Sequence, residues 1–105
     1  MATVRRTHDF DRWLKELTDR KARAKIIVRI QRMETGNLGD VKPAGSGISE
    51  MRIDFGPGYR IYFKQTGSLF ALLRGPEYTL LCGGDKGSQP TDIKRAKQIA
   101  AKLKG

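Results

Sequence analysis

The sequence predicts an α+β chain, and two observations carry that reading. Residues 50–63 alternate polar and apolar side chains on either side of Gly56, Pro57 and Gly58, which is the pattern of a β-hairpin. Ahead of them, apolar residues recur at helical spacing in two stretches, and a third such stretch closes the chain. With 105 residues and 38% hydrophobic composition, the chain is expected to form a single domain, 1–105, around one modest core.

The short, β-tolerant run 2–6 is expected as an edge strand laid beside the hairpin. Thr7 is a good N-cap for a helix in which Phe10, Trp13, Leu14 and Leu17 form one apolar stripe. Asp19 caps a second helix with Ala22, Ile26, Ile30 and Met33 as its buried row and Gly36 as its stop. The two helices are expected to pack as an αα-hairpin. On the second, Lys21, Lys25, Arg29 and Arg32 make a basic stripe away from the buried row; it reads equally as a solvated face or as a surface that tracks phosphates. Residues 36–49, with Gly36, Gly39, Gly45, Gly47 and Pro43, read as a loop. That loop opens a strand and lacks the lysine-serine ending of a P-loop, so nucleotide binding there is not expected.

A symmetric three-residue turn in the hairpin sets Phe55 opposite Tyr59, Ile53 opposite Ile61 and Met51 opposite Phe63, all on an apolar face. The other face carries Glu50 opposite Lys64, Arg52 opposite Tyr62 and Asp54 opposite Arg60. Arg52 is then a cation with only a phenol across from it, on a face that must meet solvent or a partner. Further on, Thr66 and Gly67 make a turn, 69–73 is apolar, and 78–82 reads as a buried strand with Cys82 as core filler. Thr91 is expected to cap a last helix with Ile93, Ala96, Ala100 and Leu103 inward and Lys94, Arg95, Lys97, Lys102 and Lys104 outward.

A formal charge of +10 and a pI near 10.2 fit a partner rich in negative charge, either nucleic acid or an acidic protein. No stretch approaches the roughly 20 apolar residues of a membrane span, and no apolar signal core follows the early arginines, so a cytoplasmic location without membrane contact is expected. One cysteine and one histidine, His8, leave no internal disulfide and no plausible zinc cluster; neither a metal nor a small-molecule cofactor is expected. A lone histidine cannot supply paired imidazoles, no carboxylates are spaced for two metals, and no serine sits in a nucleophile elbow. What remains is Arg52, Arg60, Lys64 and Lys86 with Tyr59 and Tyr62. Such a set can cleave RNA by aligning the ribose 2′-hydroxyl on the neighbouring phosphate and stabilising the crowded negative charge. A lysine among other cations has its pKa lowered and can act as the base. The same residues also read as plain binding surface.

Several motifs add a resemblance. Glu-Met-Arg-Ile at 50–53, Gly-Pro-Gly-Tyr-Arg at 56–60, Gly-Gly-Asp-Lys-Gly-Ser-Gln at 83–89, and Asp92, Ile93 and Ala96 look like the RelE/ParE superfamily of bacterial toxins, especially its HigB-like addiction module killer proteins. The likeness extends to Phe10, Trp13 and Leu14 and to Gly-Asn-Leu-Gly-Asp at 36–40. It implies an N-terminal strand and a helical hairpin packed on a small, mainly antiparallel sheet, a C-terminal helix, and a cognate antitoxin protein as partner. For RelE-like members it implies cleavage of mRNA in the ribosomal A site; ParE-like members poison DNA gyrase instead. Arg60 matches the arginine that contacts the scissile phosphate, Arg52 lies where a basic strand residue is placed, and Lys86 looks like the basic residue near the end of the last strand. Tyr62 would orient or stack, and Lys64 with Lys21, Lys25, Arg29 and Arg32 would bind RNA. Two departures stand out: Asp54 occupies the place of a second lysine, and the tyrosine near the last helix has no counterpart. The connection 64–83 is also longer than the family pattern. If it adds only an extended loop, strand parity brings Lys86 back to the Gly-Pro-Gly turn and Arg60. The expected function is a metal-independent, ribosome-dependent mRNA endoribonuclease toxin of a type II toxin-antitoxin system; a gyrase poison and a non-enzymatic basic RNA-binding domain are the alternatives.

Overall fold

Thr7 ends the first strand and begins the first helix: its hydroxyl accepts from Phe10 N at 3.1 Å and donates to Leu81 O at 2.6 Å. The computed structural model describes residues 1–68 and 73–103. In chain order it contains β1 (Thr3–Arg6), α1 (His8–Glu16), α2 (Arg20–Glu34), β2 (Val41–Gly45), β3 (Ile48–Ile53), β4 (Tyr59–Thr66), β5 (Glu77–Asp85), a 3-10 turn (Lys86–Ser88) and α3 (Gln89–Lys102). The fold is α+β, with its strands in one sheet of order β1-β5-β4-β3-β2. Only β1 with β5 is parallel.

Both N-terminal helices begin as their sequences predict. Asp19 accepts from the backbone of Lys21 and Ala22, and Gly36 turns the chain out of α2 at φ +95°. Phe10 and Leu14 of α1 and Ala22, Ile26, Ile30 and Met33 of α2 are buried against Met51, Ile53, Tyr59, Ile61, Phe63 and Leu80. On the opposite sheet face, α3 covers Ile48, Tyr62, Leu81 and Cys82 with Ala96, and Ile93, Ala100 and Leu103 pack around them. The polar face of the hairpin is therefore half roofed by a helix instead of lying open. Burial pushes the Cys82 thiol up to about 11, as suits a core side chain.

The hairpin departs from the symmetric three-residue turn. Ile53 pairs with Tyr59, Arg52 with Arg60, Met51 with Ile61, and Glu50 with Tyr62. The loop is 54–58, closed by Gly58 N donating to Phe55 O at 3.1 Å, with Gly56 and Gly58 at positive φ. The register moves by an even number of residues, so each side chain keeps its expected face while its partner changes. Three other expectations are corrected. β1 lies beside β5, not beside the hairpin. Residues 36–49 hold a strand of their own, β2, joined to β3 by Ser46 and Gly47, both at positive φ as a primed hairpin turn requires. The helical C-terminal segment starts ahead of Thr91: Asp85 caps the 3-10 turn, and α3 runs from Gln89 with Pro90 in its first turn. The apolar run 69–73 lies outside the described residues except for Leu73, which is exposed.

A bulge lets β5 serve both layers. Cys82 pairs with Tyr62 while Leu80 pairs with Phe63, leaving Leu81 as the extra residue. Beyond it, Gly83 faces Trp13, where a Cβ would fall 2.3 Å from the indole, and Gly84 faces Asp92, where a Cβ would fall 1.8 Å from the carboxylate. Gly83→Ala is expected to destabilise the fold by about 1–3 kcal/mol through overpacking. Urea denaturation measures this, and in a Trp13→Ala background the same substitution should cost less.

Candidate functional site

Two arginines face each other across the hairpin. Arg52 of β3 and Arg60 of β4 are register partners, a position that holds Cβ atoms about 5 Å apart and is repulsive for like charges. Each has its own carboxylate. Arg52 makes a forked contact with Asp40, its Nε 3.2 and 3.1 Å from the two oxygens and its Nη2 2.8 Å from Oδ1. Arg60 Nε lies 3.2 Å from Glu50 Oε2, with the two side chains only 12% and 6% exposed. The sequence pairings of Asp54 with Arg60 and Glu50 with Lys64 are thus replaced, and Arg52 does not stand alone opposite a phenol. The hydrogen bond from Arg52, ahead of its charge, holds the Asp40 carboxyl below the usual carboxylate range, and the same bond raises Arg52.

Lys86 comes to this arginine pair through strand parity. β5 runs antiparallel directly beside β4, Tyr59 pairs with Asp85, and the next residue emerges at the Gly-Pro-Gly turn as expected. A Cβ on Gly58 would lie 3.5 Å from Arg60 Nη1 and 3.6 Å from Lys86 Cβ. Those are ordinary contact distances, so it is the φ of +82° that calls for glycine where the turn passes between the two cations. Asp40, Arg52, Asp54, Arg60, Lys86 and the 56–58 turn line a pocket of about 500 Å³. Among the described residues, Lys86 has no carboxylate within ion-pair distance.

Tyr62 does not join this group. It is fully buried under α3, its hydroxyl has no hydrogen-bond partner among the described residues, and burial raises its pKa well above the ordinary phenol value. It cannot stack on or donate to a ligand in the pocket. Lys64 lies further along β4, paired with Ile48 and Thr79 and close to Gly47, away from the pocket.

The basic stripe of α2 divides. Lys25, Arg29 and Arg32 line a neighbouring cleft of about 370 Å³ with Val28, Ile53 and Asp54, so Asp54 borders both cavities. Lys21 is exposed outside it. Lys25 sits 5.0 Å over the Phe55 ring. Arg29 is a structural clamp: Nη1 donates to Arg52 O at 2.7 Å and Nη2 to Leu38 O at 3.2 Å. Burial lowers its pKa, with Asp40 opposing and Arg32 reinforcing. Gly39 makes room for it, since a Cβ there would fall 2.8 Å from Nη2.

Sequence reasoning missed Asp40, which reaches Arg52 only because residues 36–49 hold a strand. It also missed Glu50 as the partner of Arg60 and Gln89 as the partner of Glu50; Gln89 Nε2 donates to Glu50 Oε1 at 2.7 Å.

This chain is 45% identical over 100 residues to a protein of Haemophilus influenzae described only as uncharacterized, across 95% of this chain and 94% of that one. No family model matches the chain, and no solved structure matches it. No helix among the described residues is long and apolar enough to cross a membrane.

Two outcomes follow from the geometry. In an NMR pH titration Asp40 should titrate below the unfolded-state aspartate value of about 3.9, and Arg52→Ala should return it toward that value. Because the folded pKa is depressed, the pair's stabilisation is present above the unfolded value and is lost as pH falls through the folded one. The pair is partly exposed, so salt should weaken it. Arg29→Lys, which cannot reach both carbonyls with a planar fork, should cost about 2 kcal/mol in chemical denaturation.

Proposed function

The chain belongs to one family with that Haemophilus influenzae protein, and from the arginine pair at the turn end of its sheet we propose that it is the toxin of a type II toxin-antitoxin system, of the RelE/ParE kind. In this reading it cleaves mRNA on the ribosome without a metal and is neutralised by a cognate antitoxin. The observation that carries the reading is the convergence of Arg52, Arg60 and Lys86 on one pocket. A fold gains nothing in stability by setting two guanidinium groups opposite each other, and this one uses two carboxylates to keep them there. Paired guanidinium groups suit the non-bridging oxygens of a phosphate, and each tenfold in rate needs only about 1.4 kcal/mol of added transition-state stabilisation. An RNA phosphate would take the Asp40 side of Arg52, meet the Arg60 edge, and lie within reach of Lys86, which supplies charge or a proton. Lys25 and Arg32 in the adjoining cleft extend the track for the chain on one side.

A second reading has its own observation. Asp40, Glu50 and Asp54 offset the three cations, and among the described residues no exposed phenol or imidazole borders the pocket. A protein that acts by contact alone, as a gyrase poison or as a basic RNA-binding domain does, needs no acid-base group there.

Mapping 5′ ends of mRNA on programmed ribosomes separates the readings. The endoribonuclease gives cuts at A-site codons that fall at least about a hundredfold in Arg60→Ala, as for loss of one key charge-stabilising donor. Folded wild-type protein that arrests growth without cutting overturns it in favour of gyrase; salt-sensitive RNA binding with neither arrest nor cutting favours the binding domain.

A further inference from the structure

Glu50, buried at 4% exposure, sits against Arg60 of the pocket, where its charge works against an anion. We propose that Glu50 is a positioning residue that aims the Arg60 guanidinium into the pocket, with Gln89 holding Glu50 in turn; this rests on the reading of the pocket as a phosphate site.

The geometry fixes the guanidinium on two sides. Glu50 Oε2 forms an ion pair with Nε at 3.2 Å, out of line for a hydrogen bond, while Nη1 is turned to the carbonyls of Gly58 and Tyr59 at 3.4 Å each. The other Glu50 oxygen accepts from Gln89 Nε2 at 2.7 Å, so the carboxylate is itself held from the first turn of α3. The register neighbour of Glu50 is Tyr62, whose buried hydroxyl is left without a partner. Buried ion pairs add little stability relative to an apolar pair of the same volume. Stability therefore does not account for an ionic pair at this position, whereas orientation does. The long, rotatable Arg60 side chain would otherwise lose entropy on meeting a ligand, and a guanidinium fixed beforehand has less to lose. Through Gln89, the start of α3 bears on the pocket although the helix body covers the core behind it.

The sign of one measurement separates orientation from charge. On electrostatics alone, Glu50→Gln removes a negative charge beside the site and tightens anion binding; loss of orientation weakens it. The probe is a single-stranded RNA trinucleotide titrated against the wild-type protein, Glu50→Gln, Arg60→Gln and the double variant, with folding checked by thermal melts. Expected are about tenfold weaker binding in each single variant and no further loss in the double, because Glu50 acts through Arg60. Tighter or unchanged binding in Glu50→Gln, or losses that add in the double variant, overturn the proposal. If Arg60→Gln does not fold, the neutral double variant supplies the baseline. If the wild type does not bind the trinucleotide, the phosphate reading of the pocket fails by itself, and the Arg60 Nε–Hε NMR signal decides the positioning. Restricted motion of that N–H in the wild type that is released in Glu50→Gln upholds it, and equal motion in both overturns it.

Discussion

Tyr59 pairs with Asp85, and that rung of the ladder determines where the charged groups near it come to lie. Because β5 runs antiparallel beside β4, the residue after the rung, Lys86, arrives at the same end of the sheet as the 54–58 turn. The bulge at Leu81 sets which face each later residue takes. A strand has a side-chain period of two, so without the extra residue Gly83 and Gly84 would exchange faces. Gly83 leaves the gap that takes Trp13, and Gly84 leaves bare backbone for Asp92 to approach. The α3 start, with Gln89 on Glu50, depends on that approach.

Much of the fold was legible because the relevant signals are local. Thr7 and Asp19 cap their helices, the row from Ala22 to Met33 by way of Ile26 and Ile30 is buried, and the alternation in β3 and β4 assigns the core face correctly. What was not legible depends on distant pairing. Four of the five β2 positions, Lys42, Pro43, Ala44 and Gly45, hold residues depleted in strands, and β2 is a strand because β3 offers it an edge. The hairpin register was misjudged because Gly-Pro-Gly reads as the whole turn, while the turn is set by a hydrogen bond from Gly58 to Phe55.

The site divides along the same line. Arg52, Arg60 and Lys86 were found from residue type, motif resemblance and parity, which need only the chain's order. Their carboxylates were not, because Asp40 depends on β2 and Glu50 on the true register. Tyr62 shows the limit of reasoning from alternation: a face that carries Glu50, Arg52, Arg60 and Lys64 reads as open, yet Tyr62, with Ile48 on the same face, lies under Ala96 and its neighbours. Arg29 shows another limit. Its spacing on α2 is that of a surface cation, and only the nearby carbonyls of Leu38 and Arg52 turn it into a clamp.

The two outer strands bear on how this molecule meets other chains. β2 carries Pro43, which has no N–H to donate, next to Lys42 and a register irregularity before Gly45. At the other margin, β1 is short and presents Arg5 and Arg6. Proline, charge, short length and the register irregularity all work against a foreign strand pairing onto either margin. Edge-to-edge stacking of crowded copies through these margins is thereby disfavoured.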